Sequence, residues 1–414
     1  MKKILLFVIN TLLFSACSQK FEGHLVVICI PVYGQSLALG EEAERITDFD
    51  SLANYAGGRI VAENLDHNFG YFDNNDLKQF AKKLIKYQKR SFELSIYTMA
   101  QHLADQTGED TLICIFPGGQ GATAIADLSK GTPPYQKFME DIETAYQVSQ
   151  KSGWKFKIPA ICWMQGESDI VDYPNTDYQQ LLLKIWEDMN TDIRQITQSK
   201  DTIPFICYQA NSLTRATKFN ANNYECVETT VPNTFVNLLR DNKWFWASGP
   251  TYPYTCVGEK IHIDAIGQQR IGELASRSAL GILKGEKRNQ GLIPTNMSVD
   301  GQDVIIQFNV PSSPLVFDTL QVSKVTNYGF SVINKNNQNV IENVIIKGDS
   351  IKITCSVPPI DCKVLYAVNG DYLKSGNLHG PRGNLRDSSG NWCYQFDQQL
   401  TVVEPQTNNV QKLD

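Results

Sequence analysis

Four short, unbroken apolar runs constrain this chain more than any other feature: VVICIPV at 26–32, TLICIFP at 111–117, PAICWMQ at 159–165 and PFICYQA at 204–210. A strand with one wet face alternates apolar and polar residues, so a continuous run of this length fits a strand covered on both faces, as in a parallel sheet. Between the runs, apolar positions recur at helical spacing over Ser91–Gln106, Pro134–Ser152 and Tyr178–Thr197, and a last helix is expected over Ala265–Lys284. Strand and helix in alternation predict an α/β unit with a doubly wound, mostly parallel sheet.

The pattern changes after that helix. GEKRNQGLIPTN, residues 285–296, is polar and holds glycine and proline, which marks a linker. From 297 to 414 the runs DVIIQFNV, NVIIKGDSIKITCSV and KVLYAVNG alternate and are separated by Asn, Asp, Gly and Pro, which predicts a smaller C-terminal β-sandwich. At the other end, Lys2 and Lys3 precede an apolar stretch, Ile4 to Phe14, too short to span a bilayer, so residues 1–16 read as a signal peptide. Ser15-Ala16-Cys17 resembles the lipobox of bacterial lipoproteins, which implies Cys17 as the lipidated residue, 17–23 as a tether and the cell envelope as the location; the alternative is an ordinary signal peptide cut near Ala16, with Cys17 an incidental thiol and the protein secreted. The α/β domain then runs from 24 to 284.

Thirty-eight basic against 44 acidic residues leave a net charge of −6, so no broad cationic surface exists for nucleic acid, and the only membrane contact expected is the lipid at Cys17. Ten cysteines invite a disulfide framework. Cys29, Cys114, Cys162 and Cys207, however, lie inside the four apolar runs, where cysteine behaves as a small hydrophobe. None of Cys226, Cys256, Cys355, Cys362 and Cys393 forms a zinc spacing, so no metal is expected and at most one or two disulfides.

The chemistry-bearing residues cluster where the runs end. The carboxyl edge of an open α/β sheet is where ligands bind, and there IPVYGQSLALG places Ser36 after Gly34-Gln35, at the start of an expected helix. Helix capping is the plain alternative for that serine. FPGGQGATAIADL supplies Gly118, Gly119 and Gly121 after the next run. It fits an oxyanion loop through the Gly121 N–H, a tight turn, or the loose dinucleotide fingerprint G-x-G-x-x-A. ICWMQGESD brings Gln165, Glu167 and Asp169 directly after a buried run: an amide suited to an oxyanion and carboxylates suited to orienting a base or a substrate hydroxyl, or else a solvated turn.

A serine nucleophile needs a base. Of five histidines, His24 lies at the wrong sheet edge, His67 in an Asn-rich loop, His102 in a helix and His379 in the sandwich, which leaves His262 in GEKIHIDAIGQQRIGE. Glu259, three residues earlier, suits a carboxylate–imidazole bond along a helical turn.

Taken together, Gly34-Gln35-Ser36-Leu37, Gly121-Ala122-Thr123, Gln165-Gly166-Glu167 and Glu259-Lys260-Ile261-His262 resemble, in order and spacing, the blocks of the SGNH or GDSL-type hydrolases. Within them the resemblance is to the sialate O-acetylesterase and acetylxylan esterase group, carbohydrate esterase family six. It covers roughly residues 25 to 284. It implies an SGNH, flavodoxin-like sheet; Ser36 as nucleophile; His262 as base; and the Ser36 N–H, Gly121 N–H and Gln165 amide as oxyanion donors. Leu37 stands where the family has asparagine, Ala122 where it has a second glycine, and Glu259 where it has aspartate; the extra methylene leaves Glu259 and Glu167 both open as the imidazole's partner, and adjacency to His262 favours Glu259. The substrate class implied is an acetylated oligo- or polysaccharide, cleaved through an acetyl-serine with no cofactor.

Sugar contacts are expected from Gln35 and from WFWASGPTYPYT, where Trp244, Trp246 and Tyr252 either stack on rings or pack a loop onto the core. The loop HGPRGNLRDSSG, with His379, Arg382 and Arg386, either reaches the site or caps its own domain. Competing functions are a glycan-binding lipoprotein without turnover, a general arylesterase or lipase-like hydrolase, and a dinucleotide-dependent enzyme.

Overall fold

The computed structural model describes residues 25–62, 92–172, 176–210 and 229–400. The signal and tether segments, Cys17, His24, His67 and Cys226 lie outside these.

The four apolar runs form strands, and two of them are broken in two. The first gives β1 (Val26–Cys29) and β2 (Val32–Gly34), parted at Pro31, which has no N–H for the ladder. After β3 (Ile60–Ala62), the second run gives β4 (Thr111–Ile115) and β5 (Pro117–Gly119). Then come β6 (Lys155–Lys157), β7 (Ile161–Met164), β8 (Phe205–Gln209) and β9 (Phe245–Pro250). The ladders run β3-β4-β1-β6 and β5-β2-β7-β8-β9, every pair parallel. The first ladder continues into the second through the split runs. The result is the doubly wound α/β core expected from the alternation, with β2 at the point where the connections change direction.

Helices α1 (Phe49–Asn54), α2 (Ser95–Gln106), α3 (Pro133–Lys151), α4 (Glu167–Asp172), α5 (Tyr178–Thr197), α6 (Thr230–Asp241) and α7 (Ala265–Lys284) complete the core. Their ends follow capping chemistry. The Asp177 side chain accepts from Gln180 N–H to open α5, Asp264 accepts from Gly267 N–H to open α7, and Gly285 at φ 66° closes α7. α2 packs on α7, and α3 on α5. Val27, Ile113, Ile161, Trp163 and Phe205 are fully buried, each contributing about 1.5–3 kcal/mol by burial. All eight described cysteines are buried, including the four in the strands.

The C-terminal region is β-rich and antiparallel. One sheet orders β10 (Ile293–Asp300), β11 (Asp303–Asn309), β15 (Ser350–Cys355) and β14 (Ile341–Lys347). A second orders β13 (Phe330–Ile333), β16 (Lys363–Tyr366) and β18 (Phe396–Gln399), and β12 (Leu315–Phe317) pairs with β17 (Leu385–Asp387). β10 begins inside the expected linker. The rest of that linker lies along the α/β unit, with Arg288 donating to Asn242 O and Phe245 O.

The two regions share one apolar core. Gln209 and Gln395 exchange bonds across the join, Nε2 of Gln209 to Gln395 O at 2.8 Å and Gln395 N–H to Gln209 Oε1 at 2.7 Å.

Candidate active site

Ser36 follows β2 at the carboxyl edge of the sheet. No helix starts there: residues 36–42 form a turn, with Leu39 and Glu41 N–H donating to Ser36 O and Gly40 N–H to Leu37 O. Gly40 sits at φ 68°, and a Cβ there would lie 2.2 Å from Glu93 O, so the chain cannot wind on into a helix at that point. The buried Glu93 carboxylate holds the next residues by accepting from Ile46 and Thr47 N–H. Sequence reasoning missed Glu93. Ser36 itself is almost fully buried.

Beside it lies the glycine loop. A side chain on Gly121 would bring its Cβ to 2.3 Å from Glu41 Oε1, so the Glu41 side chain lies against the loop there. Among the described residues, the N–H groups of Ser36 and Gly121 donate to no other backbone group. The dinucleotide alternative does not survive. A dinucleotide loop opens straight into a helix, whereas this one passes through a 3₁₀ turn, Ile125–Leu128, and α3 starts only at Pro133.

Gln165 is oriented differently from the expected oxyanion donor. Its Nε2 donates to Thr123 O at 3.1 Å and to Asp169 Oδ2 at 2.5 Å, which uses both amide protons, and its buried Oε1 has no partner among the described residues. Asp169 Oδ2 also accepts from Ile125 N–H at 2.9 Å. Burial pushes the Asp169 carboxyl up, against the hydrogen bonds from Gln165 and Ile125. Asp169 and Gln165 thus tie the end of β7 to the glycine loop.

His262 lies on a hairpin-like loop closed by the Cys256–Ile263 bridge, with Val257 N–H donating to His262 O at 2.7 Å. Its ring reaches the serine turn. Nδ1 is 2.8 Å from Glu42 Oε2, and since a carboxylate only accepts, that contact calls for the proton on Nδ1 and leaves a lone pair on Nε2. A second tie runs from Gln268, in the first turn of α7: its Nε2 donates to Leu37 O at 2.9 Å and its Oε1 accepts from Ser95 N–H at 3.2 Å. The chain start and the histidine region, more than two hundred residues apart, therefore meet.

Neither carboxylate expected to hold the imidazole makes that contact. Glu259 sits in a tight turn, Val257–Glu259, at φ 56° rather than on a helix with His262, so the three-residue spacing does not bring the two together. Its carboxylate pairs with Lys374 Nζ at 2.6 Å and with His379 Nδ1, and these bonds lower its pKa. Glu167, the first residue of α4, is fully buried, bonded by Tyr208 O–H at 2.7 and 2.5 Å, and its carboxyl is pushed up to about 7 by burial. The partner is Glu42, a half-exposed residue held at φ 64°. The only hint in the sequence was an acidic pair closing the serine turn.

The expected sugar contacts are structural. Gln35 is buried, and its Oε1 accepts from Gly166 and Ser168 N–H, which joins β2 to the β7 loop. Trp244 stacks on Trp186, Trp246 is core packed against Gly281, and Tyr252 is fully buried, donating to Cys393 O at 2.8 Å. Trp244 and Trp246 thus pack on α5 and α7, and the C-terminal region covers Tyr252. Of the sandwich loop, His379 reaches the histidine hairpin, while Arg386 pairs with Asp318 and Arg382 donates to Ser323 O, both inside their own region.

A parallel-sheet core with a serine turn, a glycine loop and a carboxylate-bound histidine at one edge is an arrangement suited to a carboxylic ester hydrolase. Residues 85–280 match the family described as carbohydrate esterase, sialic acid-specific acetylesterase. The matched interval includes Gly121, Gln165 and His262 and starts beyond Ser36. Among solved structures, a carbohydrate acetylesterase from Xanthomonas citri shares the fold at a TM-score of 0.62, with 14% identity over 90% of this chain and 80% of that one. NanS aligns at a TM-score of 0.43, with 15% identity over 63% of this chain and 97% of that one. A protein from Arabidopsis thaliana aligns at 0.44, with 15% identity over 63% and 99%. No curated protein matches the sequence.

Proposed function

We propose that the chain is a carbohydrate O-acetylesterase working through Ser36 and His262, with Glu42 holding the imidazole. The bond between Glu42 and His262 Nδ1 carries this reading, because it fixes the tautomer a serine's base requires and does so on the nucleophile's own turn. His262 Nε2 takes the Ser36 hydroxyl proton as Oγ attacks the acetyl carbonyl. The Ser36 and Gly121 N–H groups hold the resulting oxyanion. The C–O bond to the sugar breaks, the imidazolium returns the proton to the departing sugar oxygen, and acetyl-Ser36 remains. Water, deprotonated by the same nitrogen, releases acetate and frees the serine. The departing alcohol is assigned to a glycan on the family match, and anchoring through Cys17 at the cell envelope is part of the same proposal.

The test is acetate release from a panel of acetylated glycans. Wild type should turn over at least one, and Ser36→Ala or His262→Ala should lose on the order of 10⁴-fold or more in kcat with unchanged melting. Turnover confined to aryl acetates would make the protein a general arylesterase; glycan binding with no turnover in wild type would make it a lectin-like envelope protein. Undiminished hydrolysis by Ser36→Ala would remove the nucleophile assignment.

A further inference from the structure

The histidine hairpin is gripped at its tip by the β-rich region. Its turn, Gly258-Glu259, has both residues in the left-handed region, a conformation that glutamate adopts at a cost and keeps only where surroundings enforce it. The surroundings here are residues 374–379, which end in the short helix α8 (Gly376–His379). Lys374 Nζ and His379 Nδ1 each take one oxygen of the Glu259 carboxylate. Ser375 N–H donates to Glu259 O at 2.9 Å, and Asn377 N–H to Tyr254 O at 3.2 Å. Gly376 lies against the hairpin so closely that a Cβ would stand 3.0 Å from both Cys256 N and Tyr254 O. Gln321 Nε2 adds a bond to Pro253 O at 3.3 Å.

We infer that the C-terminal region positions the catalytic base: the 374–379 segment holds the Glu259 tip, and through three residues of hairpin that grip sets where the His262 ring meets Glu42 and Ser36. Glu259 is then a positioning residue and not the imidazole's partner. The inference rests on the proposed roles of Ser36 and His262. The ion pairs are largely exposed, and such pairs add little to stability, so their expected effect is on rate.

The experiment uses the full-length protein with Lys374→Ala, His379→Ala, the double variant and Glu259→Gln. It reads kcat and KM on an acetyl ester, the fraction of active sites by fluorophosphonate titration, and the melting temperature. The double variant and Glu259→Gln should each lose about tenfold in kcat per titrated site, with KM within twofold of wild type, and combining all three changes should cost no more than either. Lys374→Arg should recover most of the rate lost by Lys374→Ala. An unchanged kcat in the double variant overturns the inference, as does a loss that lies wholly in the fraction of titratable sites. A Glu259→Gln loss far exceeding that of the double variant overturns it too, since Glu259 would then act on the imidazole directly. If Ser36→Ala retains turnover, the failure belongs to the proposed function and not to the grip.

Discussion

The serine side and the histidine side of the site are held by different means. Ser36, Gly121 and Gln165 all sit within a few residues of parallel strands, β2, β5 and β7, whose register fixes the three loops against one another. Gly119 makes this literal: a Cβ there would fall 1.8 Å from Gly34 O, so only glycine lets the two strand ends approach. His262 has no strand beneath it. Its hairpin hangs between the serine turn, through Glu42, and the β-rich region, through Glu259. A scaffold made of neighbouring strands is robust to single side-chain changes at its edge, whereas a loop placed by a few long-range contacts depends on each of them.

The largest effect should come from removing the contact that joins the two sides. Glu42→Ala should lower kcat on the order of 100-fold or more with KM and melting little changed. A loss of less than threefold, beside a large one for Glu167→Gln, would move the imidazole's partner back to the strand side. Next comes Glu167, whose carboxyl is raised to about 7 by burial from an unfolded value near 4.5. Between those pH values the folded state binds the extra proton, so stability is greatest below about 4.5 and falls as pH rises through 7, by about 3 kcal/mol. Urea unfolding of Glu167→Gln across pH 4 to 8 should lack that decline; an identical decline in the variant would assign it to other groups. The smallest effect is expected at the join between regions. Tyr252→Phe strips a buried O–H from Cys393 O and should cost about 1 to 2 kcal/mol in thermal melts, with KM for the glycan unchanged. A raised KM with no change in melting would return Tyr252 to the sugar site.

Legibility in the sequence follows the same division. The apolar runs announced the strands, and apolar positions at helical spacing announced α5 and α7, whose ends the structure shows capped by Asp177, Asp264 and Gly285. Ser36, Gly121 and Gln165 stood out because polar or glycine residues interrupt apolar runs. What failed was anything requiring knowledge of distant partners. Glu42 lies 220 positions from His262, and no local spacing signals that pair. Glu259 had the right spacing for the imidazole but lies in a left-handed turn facing Lys374. The aromatic segment around Tyr252 looked like a binding surface because the C-terminal region that buries it is folded from residues more than a hundred positions later. Gln165 was found, yet the direction of its amide depends on Asp169 and Thr123, which only three-dimensional placement brings together.

Placing Ser36 and Glu42 on one turn has a consequence for how this protein tolerates insertions. The six residues from one to the other act as a ruler, since the turn bonds among Ser36, Leu37, Gly40 and Glu41 set how far the carboxylate projects from the hydroxyl. Lengthening that stretch by a single residue leaves every side chain present and the sheet untouched, yet swings Glu42 out of reach of the ring it holds.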